Sequence, residues 1–283
     1  MEDKLANMLN YLYKFILDQA YNIAEIAKVS FDSNGTWGSG LSSIWSGVTR
    51  ISNNVIEPIG VLLVVVIFLL GLVEKVSTEQ FTLESLLKDI IKFCMGLYLV
   101  TNAVEIVVGC INIGNGLVTA VENGGFLTRP ALSTYRDEIL TGNMIKELGN
   151  FFVSILLGVV FILFMVVEMI ILVVMKCVCT IRVLEIAIRT AMAPIALADT
   201  FAGNLLNSHA INFIRSFGAL CVQGVFITII SYVLPMFWGG IFSASSNLWD
   251  VLGGLMSMFV ISVSCLLLMF KSGSIAKDML GAR

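Results

Sequence analysis

Long apolar runs separated by short polar stretches set the plan of this chain. Residues 59–73, 151–175, 217–238 and 251–270 are apolar almost throughout. Each comes near the roughly 20 residues that a helix needs to cross a hydrocarbon core of about 30 Å. The first run is extended by residues 55–57 and opens at Pro58, where a first helical turn tolerates a missing donor, and it ends at Glu74 and Lys75. A further run, 93–113, contains Asn102 and Glu105, three apart and so on one face. A charge at that depth faces protein or water rather than lipid. Within 151–175 the only charged residue is Glu168.

The start of the chain is patterned differently. Leu5, Met8, Leu9, Leu12, Phe15, Ile16, Ala20, Ile23 and Ile26 recur at helical spacing, with Asn7, Asn10, Lys14, Asp18, Asn22 and Glu25 between them. This predicts an amphipathic helix, either packed on the rest of the protein or lying on the membrane or a partner subunit. Residues 1–28 lack the continuous apolar core of a secretory leader, so none is expected. A Gly/Ser-rich break at 33–40 leads to a weaker amphipathic piece ending at Arg50, with Trp37 and Trp45 suited to the headgroup level. Residues 82–89 form an amphipathic lead-in capped by Thr82 or Ser77. The longest polar connection, 114–150, reads as an exposed loop with a short helix. Its Arg129, Arg136 and Lys146 are the candidate contact residues.

One stretch departs from this plan. Residues 176–215 lie between apolar runs yet carry Lys176, Arg182, Glu185, Arg189, Asp199, the single histidine His209 and Arg215. Read as a helix, Arg182, Glu185 and Arg189 fall at i, i+3 and i+7 and pair along one face, while Ile181, Leu184, Ala187, Ile188 and Ala191 form an apolar face. Pro194 is expected to break or kink this helix. The polar network expected at the inner membrane face comprises Glu105, Glu168, Arg182, Glu185, Arg189 and Asp199. Either it lines a pore mouth or docks cytoplasmic machinery, or the arginines are wholly satisfied by Glu185, by backbone carbonyls, or by Glu105 and Glu168 across helices.

Composition narrows the class. Of 283 residues, 58% are hydrophobic and 13% charged, with a mean hydropathy of +0.93. A soluble domain carries about 25% charged residues, so the chain reads as an all-α polytopic membrane protein. The formal net charge of −3, with no basic block, gives no sign of non-specific nucleic-acid binding. The six cysteines sit singly, mostly in apolar runs, and Cys177-Val-Cys179 lacks the spacing of a zinc or redox site. No G-x-S-x-G, HExxH, phosphate-binding loop or paired catalytic carboxylates occur, so neither enzymatic activity nor a cofactor or metal is expected.

Basic residues set orientation. Residues 239–250 contain no Lys or Arg and are bracketed by Trp238 and Trp249, which places them outside. Lys271, Lys277 and Arg283 then lie inside, as do Arg215 and the connection carrying Lys75, Lys88 and Lys92. The expected arrangement has about five crossings, an outside N-terminus, an outside 114–150 loop, and 176–215 held at the inner face as an amphipathic or re-entrant, proline-broken helix. In the competing arrangement 177–198 also crosses, at roughly 2.5–3.5 kcal/mol for each isolated charge. The expected layout is thus an amphipathic N-terminal region (1–54), a first transmembrane pair (55–113), the central loop (114–150), a C-terminal membrane core (151–270) and a cytoplasmic tail (271–283).

The order of these elements, with Arg189-Thr-Ala-Met-Ala-Pro-Ile-Ala at 189–196 and Phe213–Gly224 opening the next span, resembles the TrbL-type polytopic subunit of type IV secretion (conjugation) systems. The resemblance implies a homo-oligomeric channel or scaffold subunit in the plasma membrane. It implies neighbours among the other secretion subunits, including a cytoplasmic ATPase or coupling protein, and transit of relaxase-bound single-stranded DNA. Two other readings compete: a small-molecule or ion transporter built on Asn102, Glu105 and Glu168, and a sporulation- or phage-type membrane assembly protein. No internal repeat supports the transporter.

Overall fold

All regular structure among the described residues is helical. The computed structural model describes residues 2–29, 31, 38–77, 82–124, 151–199, 209–243 and 248–282. Its elements are α1 (Glu2–Ala27), α2 (Gly38–Ile51), a π-helical stretch (Ser52–Ile56), α3 (Glu57–Ser77), α4 (Leu83–Thr101), α5 (Ala103–Asn123), α6 (Phe151–Ala198), α7 (His209–Ser243) and α8 (Leu248–Leu280). Among the described residues five stretches are long and apolar enough to cross a membrane: Leu41–Ser77, Ala103–Asn123, Gly158–Ala198, His209–Ile241 and Trp249–Leu280. The chain is an all-α polytopic membrane protein.

Two compact units share these helices. The first comprises Met1–Lys28, Val118–Thr180 and Gly224–Ser272. Here α1 is a core element: Leu9, Ile16, Ala20 and Ile23 are fully buried, in one cluster with Phe161 and Met165 of α6, Ile227 and Trp238 of α7, and Leu255 and Met258 of α8. The packed face is rotated from the one the sequence suggests. Tyr13, Leu17, Tyr21 and even Asn10 are buried, whereas Met8, Tyr11 and Phe15 face outward. Aromatic rings with a polar tip fill gaps between helices as readily as aliphatic chains do, and Tyr21 meets Tyr232 edge-on at 6.3 Å. Lys176 of α6 donates to Gln19 of α1 at 2.5 Å, and Lys28 pairs with Glu122.

The second unit comprises Val29–Leu117, Ile181–Gln223 and Gly273–Arg283. Pro58 does not begin a helix from coil, as the sequence suggests. In the π-helical stretch before it the Glu57 N–H bonds Ser52 O, one residue further back than in an α-helix. The helix widens just where proline removes a donor, and so runs on from α2 into α3. Trp45 of α2 stacks on Phe31 with ring centroids 3.9 Å apart and planes 16° from parallel. Helices α3 and α4 run antiparallel, tied by Lys75–Asp89 at 2.6 Å and by Phe68 against Phe93 at 4.7 Å. Thr82 caps α4 by accepting from Ser85 N–H at 3.2 Å.

The second apolar run is divided differently from the expected 93–113. Asn102 leaves helical geometry (φ −106°, ψ 18°), and its side-chain amide donates to Tyr98 O at 2.9 Å. An asparagine that bonds nearby carbonyls in this way competes with the helical ladder and marks a break. The stretch that can cross is therefore Ala103–Asn123. Glu105 lies in its first turn and is exposed rather than mid-span, where a carboxylate suits the helix dipole.

The charged stretch 176–215 is likewise not one separate element. Residues up to 198 continue α6, which is 48 residues long, and His209 begins α7. Pro194 sits inside α6, close to its end, and does not break it. A proline near a C-terminus removes one bond from a long ladder and leaves few turns to disrupt.

Candidate functional site

Arg182, Glu185, Arg189, Asp199, His209 and Arg215, from the charged stretch 176–215, lie where the end of α6 (181–198) meets the start of α7 (209–223). Contacts follow an antiparallel order: Asp199 with His209, Arg189 with Ser216, and Arg182 with Leu220 and Cys221. The innermost is the most buried. Arg182 is 3% exposed, donating from Nε to Leu220 O at 2.8 Å and from Nη2 to Cys221 O at 3.1 Å. Main-chain carbonyls with a second free lone pair suit a guanidinium fork, which has five donors and no acceptor.

Backbone packing reinforces this point from a third helix. A Cβ on Gly114 of α5 would stand 2.9 Å from Cys221 Cβ and 3.0 Å from Cys221 O, so only glycine allows this approach. The next residue, Asn115, uses its whole amide: Oδ1 accepts from Val29 N–H at 3.1 Å and Nδ2 donates to Val29 O at 2.7 Å. Gly60 of α3 makes the corresponding approach to the end of α6, where a Cβ would fall 2.9 Å from Pro194 O.

One turn outward the charges are wetter. Arg189 pairs with Glu185 at 2.6 Å, four residues back on the same helix, and donates to Ser216 Oγ at 2.6 Å. Their side chains are 27% and 40% exposed. Thr190 is fully buried and returns its hydroxyl to Ile186 O at 2.7 Å. Asp199 and His209 face each other at 4.0 Å, with His209 almost wholly exposed. Arg215 is also exposed.

The expected network is therefore divided. Arg182, Glu185, Arg189 and Asp199 belong to the second unit, with Glu185 and Arg189 in direct contact. Glu168 belongs to the first unit, buried at 2% exposed beside Ser262 of α8. Arg129, Arg136 and Lys146 lie outside the described residues. Sequence reading missed Ser216, Gly114 and Asn115, and it offered backbone carbonyls for Arg182 without identifying those of Leu220 and Cys221. Backbone acceptors leave no mark in a sequence, and Gly114 and Asn115 look like the start of a loop. Among the described residues no group of three His, Cys, Asp or Glu is placed to hold a metal.

Chemically, the arrangement locks and positions helices and leaves Glu185, Arg189 and Arg215 available at the surface. A family model described as TrbL/VirB6 plasmid conjugal transfer like protein matches residues 22–194. That match takes in Arg182, Glu185, Arg189 and Pro194, and reaches further toward the N-terminus than the residues that carry the resemblance in sequence. No curated protein and no solved structure matches the chain.

Proposed function

The chain belongs to the TrbL/VirB6 plasmid conjugal transfer-like family, a membrane component of type IV secretion, and we propose that it is the channel or scaffold subunit that helps pass a single-stranded DNA–protein substrate across the plasma membrane. It works as one copy in a homo-oligomer, beside other secretion subunits and a cytoplasmic ATPase or coupling protein. Its role is mechanical and conductive rather than enzymatic. The observation that carries this reading is the family match over residues 22–194 of a chain with five long apolar helices.

The charged segment takes a part in that role. Arg182 is spent inside the fold, holding α6 to the main chain of α7. Glu185, Arg189 and Arg215 remain partly or fully exposed and form the docking surface for the cytoplasmic machinery. In this reading the N-terminus and the connection after α5 are outside and the C-terminus is in the cytoplasm; residues 114–123 of the expected 114–150 loop belong instead to the crossing helix α5. Single cysteines at Ser133, Ser208 and Ser243 in a cysteine-free background test the placement. External labelling at 133 and 243 but not 208 fits it, and external labelling at 243 alone contradicts it.

The functional test is removal of the gene from its mobile element. Mating should fall to background and return with the full chain supplied in trans. Unchanged mating in the deletion strain refutes the proposal.

A further inference from the structure

In the first unit an apolar groove of about 290 Å³ runs between α1 and α6, lined by Leu12, Met165, Met169, Ile170 and Val173 among others and by no polar side chain. Met165 forms its floor at 0% exposure, while Ile170 and Val173 on its rim are 58% and 53% exposed. One turn beyond Val173, the groove's seam is crossed by Lys176, whose ammonium reaches Gln19 of α1 at 2.5 Å. Gln19 is neutral, and among the described residues no carboxylate pairs with this lysine. Between residues 158 and 175 the only charged residue is Glu168. That length, about 27 Å as a helix, covers a hydrocarbon core and puts Lys176 at its edge.

We propose that this groove is the seat of one anionic phospholipid, with an acyl chain lying along Met165, Met169 and Val173 and the headgroup phosphate paired with Lys176. The apolar lining excludes a polar occupant, because an unsatisfied polar group in such a site is costly. The end cation discriminates between headgroups. A lysine is suited to this as a compact point charge on a flexible stem that reaches from the helix to the interface. Two methionines in the lining adapt to a chain of variable shape. Gln19 shares the lysine without neutralising it, and so holds it over the groove's end.

The test is native mass spectrometry of the purified full chain in detergent, with phosphatidylglycerol and phosphatidylcholine of the same acyl chains in competition. The wild type should retain phosphatidylglycerol about fivefold over phosphatidylcholine, the discrimination that one lysine near an anionic headgroup supplies. Lys176→Gln should abolish the preference while still retaining some lipid. Val173→Trp, whose side chain enters from the exposed rim, should lose both lipids while the protein stays folded by circular dichroism. An undiminished phosphatidylglycerol preference in Lys176→Gln overturns the proposal. So does a Val173→Trp variant that keeps its lipid, or one that loses self-association instead, which would assign the groove to a second copy.

Discussion

Arg182 of α6, a buried cation, donates to the main-chain carbonyl of Leu220 on α7 at 2.8 Å. Truncation to alanine removes two charge-assisted bonds, each worth about 1.5–3 kcal/mol, and leaves a cavity. Arg182→Ala should therefore lower stability by roughly 3 kcal/mol or more, read by thermal unfolding in detergent. Arg182→Lys should recover only part, since an ammonium cannot reproduce the fork. An alanine variant as stable as the wild type would show that the clamp holds nothing.

The Glu185–Arg189 pair is half open to solvent, and its disruption should behave differently. Partly exposed i,i+4 ion pairs contribute about 0.3–0.5 kcal/mol. Glu185→Gln should thus change the melting temperature by no more than a degree or two, yet reduce mating if this face docks the cytoplasmic machinery. Full mating with Glu185→Gln combined with Arg215→Gln would exclude this surface from the interface.

Much of the fold was legible because its signals are local. Apolar runs report helices of crossing length, the period in residues 1–28 reports α1, and Thr82 followed by an amphipathic run reports a cap. The sequence was misleading where a local signal is outweighed by its neighbours. Pro58 and Pro194 look like boundaries, yet one is accommodated by a π-helical turn and the other lies near a helix end. Asn102 looks like a residue inside a span, and instead divides it. For the candidate site, Glu185 and Arg189 could be paired from their spacing. The partners of Arg182 could not, because they are carbonyls nearly forty residues away.

Glycine positions give a sharp contrast. Gly114→Ala would press a methyl against Cys221 Cβ and O, and Gly60→Ala against Pro194 O, each at 2.9–3.0 Å. Overpacking of this kind costs about 1–3 kcal/mol. Gly71→Ala, with nothing within 4 Å of the new Cβ, should instead stabilise the helix by about 0.5–1 kcal/mol. Chemical denaturation of the three variants side by side checks this, and equal effects would contradict the packing described.

Asn115 holds Val29 by both its N–H and its C=O. Asn115→Ala should raise hydrogen exchange at the Val29 amide by about five- to tenfold, since a net hydrogen bond of about 1–1.5 kcal/mol is lost. Protection at Val29 unchanged from the wild type would show that another group holds this connection.

A subunit that helps to pass the transferred strand, as proposed above, would lie against that strand during mating. Formaldehyde crosslinking of mating cells, followed by immunoprecipitation of the tagged chain and amplification of the transferred strand, measures that contact directly. Recovery of the transferred strand is expected from donors with an active coupling ATPase, and its loss when that ATPase is inactivated. Failure to recover the strand from actively mating donors, under conditions that capture it on the coupling protein, would contradict it.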